Sequence, residues 1–396
     1  MLAIAFASLG LWTGVYWLLV FGRVLRIDRF TIDLADGLDA PDPGGLISIV
    51  VPAHNESRVI ERLVRGVLAQ RDVRFELVVV LDRCTDDTLT RLQAAAGDDP
   101  RVRVVELDHC PDDWAGKCHA AAAGAEAATG DWLLFTDADV HFEPEVVRAA
   151  VGLAAAGEID LLSAFTSLTA DHWWEAVVQP PAAITLLRMF PPDRVNSESR
   201  PRSFANGQFM LFRRTTYDRI GGHAAVREAV LEDLAFAAAV HRFDGRIRVA
   251  RAGRLVTTSM YDSLDGLLSG WRRIFIEGAK RNIPRLRRNA FLVACSGLAP
   301  VACWASVVTG VIAWRLDPAS ALGPAAAWIG IFGVVTQGVV LSRLFARGGM
   351  PVAGVLGWAI GCLLIAKTLL DGANDLRRGR PIRWGGRTYH LQPGPP

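Results

Sequence analysis

Residues 1–21, MLAIAFASLGLWTGVYWLLVF, carry no charge, and three more apolar stretches occupy roughly 290–314, 319–341 and 351–370. As helices rising ~1.5 Å per residue, stretches of this length approach the ~30 Å of a bilayer's hydrocarbon. No basic segment precedes the first stretch and no small-residue cleavage site ends it, so it reads as a retained span, not a removed signal peptide. Arg23, Arg26 and Arg29 follow directly and place the next domain on the cytoplasmic side. A buried helix of a soluble protein is the alternative, and the flanking arginines weigh against it.

Between these ends the chain is different. Of 396 residues 51% are hydrophobic, yet 21% are charged, and most acids fall within 46–285. That balance excludes a protein made only of spans. A net charge of +2 without interleaved basic and aromatic residues gives no nucleic-acid signature. The six cysteines form no C-x-x-C pair, so they read as reduced structural thiols without a zinc site.

After a linker over 22–45, strands and helices alternate. Strands are expected at Leu46–Val51, Phe75–Leu81, Val102–Glu106, Trp132–Thr136 and Ile159–Leu168. Helices are expected from Val59 to Gln70 with Ser57 as N-cap, from Thr88 to Ala96, from an opening at Trp114-Ala115-Gly116-Lys117 to about Ala128, and from Pro144 to Ala156. Such alternation means parallel βαβ units, whose ligands gather at the carboxyl ends of the strands. Each polar cluster so far sits at such an end: Pro52 to Glu56, Asp82 to Thr88, and Asp137 with Asp139. The last pair follows a wholly apolar run, and residues two apart on a strand share a face. Two carboxylates there are costly unless a cation joins them, and hard oxygen ligands suit Mg²⁺ or Mn²⁺ carrying a diphosphate. A lone D-x-D is otherwise an ordinary polar turn.

Asp171–Phe190 is apolar and tryptophan-rich but interrupted by Pro180-Pro181. It reads as an interfacial segment carrying Trp173 and Trp174, or as a pair of core helices. Residues 191–203 read as a mobile loop. Asn206–Arg213 is a strand, Val230 opens a helix to about Phe243, and Arg246–Ala250 and Leu255–Ser259 are further strands. Leu264–Arg281 is an amphipathic helix, followed by the basic run Lys280–Arg288. If all three later apolar stretches cross, the tail 371–396 ends outside. Its Arg377, Arg378, Arg380, Arg383 and Arg387 belong inside, so one stretch is expected to be re-entrant or interfacial.

The ordered set VPAHNE, LDRCTDDT, F-T-D-A-D, Gly221-Gly222-His223 with Leu231-Glu232-Asp233, and a helical Trp271-Arg272-Arg273 before the spans resembles the family 2 inverting glycosyltransferases. The likeness covers about 46–281. Trp114 to Lys117, Gly207 to His223, Met260-Tyr261-Asp262 and Trp384 to Tyr389 resemble its membrane-bound branch, which includes carotenoid and hopanoid-associated enzymes and, more distantly, ceramide glucosyltransferase. The resemblance implies an α/β fold of GT-A type, a Rossmann-like mixed sheet, over 46–289, with transmembrane helices at 1–21 and 290–370.

By position, Asp82 resembles the acid that meets the nucleotide base, with Pro52 and Glu56 beside it. Asp137 and Asp139 resemble the diphosphate and metal acids, Lys117 a donor-side cation, and Asp233 the catalytic base. Glu232, Trp271, Arg272 and Arg273 fall on the acceptor or diphosphate side. Trp271 is either an acceptor contact or an interface anchor, and Trp384 and Tyr389 either line the acceptor site or rest on lipid. The expected reaction moves one sugar from a nucleotide-diphosphate sugar, UDP-glucose by family default, to a lipid in the bilayer. A single acid at Leu81-Asp82, where relatives often carry two, weakens the donor assignment. The absence of Q-x-x-R-W argues against the first rival, a processive polysaccharide synthase. The other rival is a nucleotide-sugar-binding membrane protein without turnover.

Overall fold

The structure is a computed structural model describing residues 2–28, 31–198 and 202–394. Helix α1 (Leu2–Asp28) leads into a short strand, β1 (Ile32–Asp33). The first half of the central domain comprises β2 (Ile47–Ala53), α2 (Ile60–Leu68), β3 (Phe75–Asp82), α3 (Thr88–Ala96), β4 (Val102–Leu107), α4 (Gly116–Ala127) and β5 (Trp132–Phe135). Then come β6 (Val140–Phe142), α5 (Val146–Ala156), β7 (Leu161–Phe165), β8 (Ser167–Leu168), α6 (Trp173–Met189) and α7 (Pro192–Val195). The domain closes with β9 (Met210–Arg213), α8 (Arg214–Arg219), α9 (Glu232–Arg242), β10 (Ile247–Arg251), β11 (Val256–Thr258) and α10 (Leu264–Gly278). Beyond it lie α11 (Ile283–Leu316), α12 (Leu322–Arg347), α13 (Trp358–Arg378) and a hairpin of β12 (Ile382–Trp384) and β13 (Arg387–Tyr389).

Eight strands form a Rossmann-like mixed sheet in the order β1-β10-β7-β9-β5-β2-β3-β4. Ile47, Ile49, Val50 and Val51 of β2 are all buried, as expected of a strand covered by helices on both faces. The order is not wholly parallel: β9 runs antiparallel to β5 and β7, pairing Met210 with Phe135. That reversal puts the start of β9, with Asn206 to Gln208, at the edge where β2, β3 and β5 end.

Other expectations needed correction. The linker is partly built in: β1 pairs with β10, Arg251 grips Asp33 at 2.6 and 2.7 Å, and Leu34 is fully buried. Ser57 is not the cap of α2; Val59 holds that position, and the Ser57 N–H donates to Asp86 at 3.2 Å. The strand expected over Ile159–Leu168 breaks at Thr166, whose hydroxyl donates to Gln208, and β8 leaves to join β11 and β6 in a second sheet. Residues 191–203 contain α7, and Asn196 exchanges hydrogen bonds with Val249 at 2.8 and 3.0 Å, pinning that stretch to β10. Arg29, one of the arginines after the first helix, and residues 199–201 of that loop lie outside the described residues.

Pro180 and Pro181 do not interrupt α6, which is one helix with both prolines buried. Each lacks an N–H, so the carbonyls of Ala176 and Val177 lose their helical donors. Those two carbonyls face Gly354 and Gly361, where any Cβ would collide with them. Close backbone approach lets weak Cα–H donors reach the freed oxygens. Gly361→Leu is therefore expected to push α13 off α6 and to cost about 1–3 kcal/mol, read as a lower thermal midpoint in detergent. An unchanged midpoint would mean that α6 and α13 can slide apart freely.

Among the described residues four helical stretches are long and apolar enough to cross a membrane: Leu2–Asp28, Ile283–Leu316, Leu322–Arg347 and Val352–Arg378. Their packing is uneven. α12 runs back along α11, with Gly310 against Ala327, and Gln337 donating to the Ser296 carbonyl at 3.3 Å. Its end is tied to the end of α1 by Arg347 and Asp28 at 2.5 Å. α13 covers only the first half of α11, with Gly297 against Cys362, and Trp358 donating to Ser296 at 3.2 Å. Its far end reaches α10, where Arg272 meets Asp375 at 3.0 Å. Both α12 and α13 thus end on the side of the sheet.

Candidate active site

Lys117 stands in the first turn of α4, at the edge where β2, β3 and β5 end. Its Nζ lies 2.6 Å from Asp137 Oδ1 and 2.6 Å from Glu232 Oε1. Burial alone would lower its pKa, but Asp137 and Glu232 reverse this and hold it raised. Gly207 fits tightly over the cluster: a Cβ there would come 3.1 Å from both Lys117 Nζ and Glu232 Oε1. The Gly207 N–H donates to Asp233 Oδ2 at 2.9 Å, and the Leu234 N–H to Asp233 Oδ1 at 2.7 Å. Glu232 and Asp233 therefore diverge. Lys117 holds Glu232 below the ordinary carboxylate range against its burial, whereas burial and the adjacent Glu232 push Asp233 up to about 7.

Asp139 lies behind this cluster, with its Oδ1 buried and, among the described residues, without a hydrogen-bond partner. Burial, then Asp137 and Glu56, raise its pKa well above the usual value. Burial, then Asp137, Asp86 and Asp262, push Glu56 up to about 7. A divalent cation would relieve this excess of carboxylate, so Asp139 and Asp137 fit one. Among the described residues no three acidic, His or Cys side chains already form a cage. One or two carboxylates completed by substrate phosphates is how Mg²⁺ is commonly held.

Asp82 is buried at the end of β3, and both its oxygens take hydrogen bonds from Arg83, at 2.9 and 2.6 Å. The edge it presents is thus an Asp82–Arg83 pair and not a bare carboxylate. Pro52 and Glu56 are half-buried on and after β2. Neighbours on α10 separate. Arg273 turns toward the cavity, its Nε and Nη1 buried and unpartnered among the described residues, with its guanidinium 3.9 Å from the Trp384 ring centroid. Burial lowers its pKa, opposed by Tyr261, Glu232, Asp137 and Asp233. Arg272 is not in this site: roughly 100° further round the helix, it pairs with Asp375 on α13. Trp271 is 4% exposed and lines the cavity, so it is not an interface anchor, whereas Trp173 is 72% exposed and is not among the residues that line it.

The tail is not a free basic segment. Its first residues complete α13, and the β12–β13 hairpin closes over the strand ends. Arg387 donates to the carbonyls of Pro111 and Trp114, Gly386 sits against His54, and Trp384 lines the cavity. Two contributors lie in stretches that the resemblance covered but were given no role by it. Gln208 Oε1 gathers Thr166, Asn206 and Thr258, holding β9 to both sheets, and the polar Asn206-Gly207-Gln208 run before an apolar strand was the available signal. Tyr261, whose buried hydroxyl is unpartnered among the described residues, was read only as part of the Met260-Tyr261-Asp262 resemblance.

Residues 48–221 match the family model described as Glycosyl transferase family 2. The chain carries a family 2 glycosyltransferase domain. The match ends before Glu232, Asp233 and Arg273, so the half of the site built by α9, α10 and the hairpin lies beyond it.

The family 2 domain has curated relatives. An undecaprenyl-phosphate 4-deoxy-4-formamido-L-arabinose transferase of Pseudomonas syringae is 35% identical over 34% of this chain and 40% of its own length. A 4,4'-diaponeurosporenoate glycosyltransferase of Staphylococcus haemolyticus is 25% identical over 64% of this chain and 68% of its own. The chain therefore spans well under half of the first relative's length. Among solved structures, a mannosyltransferase from Pyrobaculum calidifontis in complex with GDP-Man and Mn²⁺ is 18% identical, covering 94% of this chain and 97% of its own with a TM-score of 0.47.

Proposed function

We propose that this chain is an inverting glycosyltransferase that moves one sugar from a nucleotide-diphosphate sugar to a membrane lipid. The observation that carries the reading is a cavity with two chemically different ends. Lys117, Asp137, Glu232, Asp233 and Arg273 close one end; Phe165, Leu168, Leu186, Phe190, Phe204 and Ile274 line the other, between α6 and α10. A carboxyl with a pKa of about 7 at the head of an apolar channel suits deprotonation of a lipid hydroxyl. The family 2 domain, and relatives whose names specify a carotenoid acid and a lipid phosphate, support a lipid as the acceptor. Glucose and UDP rest on the family resemblance alone.

In this reading Asp233 takes the acceptor proton, oriented by the Gly207 and Leu234 N–H groups. Lys117 keeps Glu232 ionised and holds both Glu232 and Asp137 in place. Arg273, with free donors and a Trp384 ring beneath it, faces the charge that develops on the leaving diphosphate. Mg²⁺ or Mn²⁺ held by Asp139 and Asp137 would add Lewis-acid charge neutralisation there. Asp139→Asn is expected to weaken divalent-dependent UDP-sugar binding at least about tenfold, since even changes around metal ligands cost ~10–100-fold. Equal calorimetric affinities for both proteins, with and without Mn²⁺, would take the acids out of the donor site.

The same reading places the domain on the cytoplasmic face. α1, α11 and α12 cross, while the segment from residue 348 through α13 enters and returns. The hairpin then stays with the domain, and Arg377, Arg378, Arg380 and Lys280–Arg288 all lie inside, as positive charge near spans prefers. The deciding experiment compares lipids from cells with and without the chain by mass spectrometry. Loss of a hexosyl lipid supports the assignment, and an unchanged lipid profile overturns it.

A further inference from the structure

A second hollow lies beside the acceptor cavity and shares Phe190, Leu231 and Leu234 with it. Its wall carries five cations, Arg194, Arg202, Lys280, Arg281 and Arg285, against one carboxylate, Glu277. Glu277 is committed to Arg281, whose Nε donates to it at 2.9 Å. Among the described residues no carboxylate lies within ion-pair reach of the other four cations. Burial chiefly, and Arg285 and Arg194 in addition, push the Arg202 pKa down. The turn that supplies Lys280 and Arg281 is itself strained, with consecutive φ values of +57° and +56° at non-glycine residues. Such conformations persist where the surrounding structure holds them, often at ligand sites.

The hollow has a definite depth. Arg285 stands in the first turn of α11, just before its apolar stretch, and the walls opposite the arginines are apolar, with Val230, Ala235 and Ala238. Guanidinium groups bind phosphate oxygens in paired fashion, and basic pockets at the cytoplasmic ends of membrane helices suit phospholipid head groups. We propose that this pocket binds the phosphate of an anionic membrane lipid, held chiefly by Arg202 and Arg285, with its acyl chains against α11 at the mouth of the acceptor cavity. A bare phosphate would use the cations but not the apolar wall. The inference rests on reading α11 as a membrane helix and does not depend on the transfer reaction.

The test uses the full chain in detergent with equimolar phosphatidylglycerol and phosphatidylcholine, retained lipids being counted by native mass spectrometry. The wild type should keep phosphatidylglycerol in preference, and Arg202→Gln/Arg285→Gln should reduce that retention by roughly tenfold or more, as loss of two interfacial charges implies. Arg287→Gln/Arg288→Gln removes the same charge from exposed positions on α11 and should retain lipid like the wild type. Arg202→Lys/Arg285→Lys should recover part of the loss, which a merely misfolded pocket would not. Equal retention by wild type and Arg202→Gln/Arg285→Gln overturns the site. Equal losses in both glutamine pairs reduce it to diffuse surface charge and overturn it too. Displacement of the lipid by inorganic phosphate at the lipid's own concentration overturns the lipid assignment.

Discussion

Asp233→Asn is expected to lower turnover by ~10²–10⁴ while leaving donor binding intact. The substitution keeps the volume but places an amide between two backbone donors, Gly207 N–H and Leu234 N–H, so one of those hydrogen bonds is lost. That costs about 1–3 kcal/mol of stability, too little to unfold the domain. The pH dependence gives an independent reading. Burial and Glu232 raise the Asp233 pKa from 3.8 to about 7, Lys117 limiting the rise, and only the deprotonated form accepts a proton. kcat/KM should therefore climb about tenfold per pH unit below 7 and level off above it. Glu56 also titrates at about 7, so the same profile is measured for Glu56→Gln. A limb that survives in Glu56→Gln belongs to Asp233, and one that vanishes transfers the role to Glu56. Activity of Asp233→Asn within a few-fold of wild type would leave Asp233 a helix-start residue only.

Lys117→Met is the second large effect, and it falls on stability. Lys117 bridges Asp137 and Glu232, with 18% of its side chain exposed and only 4% of that of Glu232. Removing the cation leaves two carboxylates facing each other, and breaking a buried pair in this way costs about 3–5 kcal/mol. The sign with pH follows from Glu232. In the wild type its folded pKa is depressed, so its contribution is present above the unfolded pKa and lost as pH falls through the folded one. Without Lys117 the carboxyl prefers its proton, and the variant's deficit grows as pH rises. The drop in thermal midpoint should be larger at pH 8 than at pH 5. Equal drops at both pH values would make Lys117 a packing residue, with its charge idle.

Much of this molecule was readable along the chain. The helix over Thr88–Ala96 and the buried run ending at Phe135 are set by local periodicity, and side-chain period depends only on near neighbours. The apolar ends and their arginines likewise needed no partner to be recognised. What the chain could not show was anything decided by pairing across distance. The direction of β9 depends on which strands flank it, and that reversal delivers Gly207 to Asp233. Pro180 and Pro181 mark a break by every local rule, yet α6 continues because Gly354 and Gly361, more than 170 residues later, face the carbonyls they free. Arg272 and Arg273 are equivalent as sequence; their division between α13 and the cavity follows from the ~100° turn per residue of a packed helix. Asp233 was nameable from its motif, but its pKa of about 7 was not, because desolvation is a property of the surroundings. Local pattern set the elements and their polar ends, and tertiary contact alone decided which of those ends share one cavity.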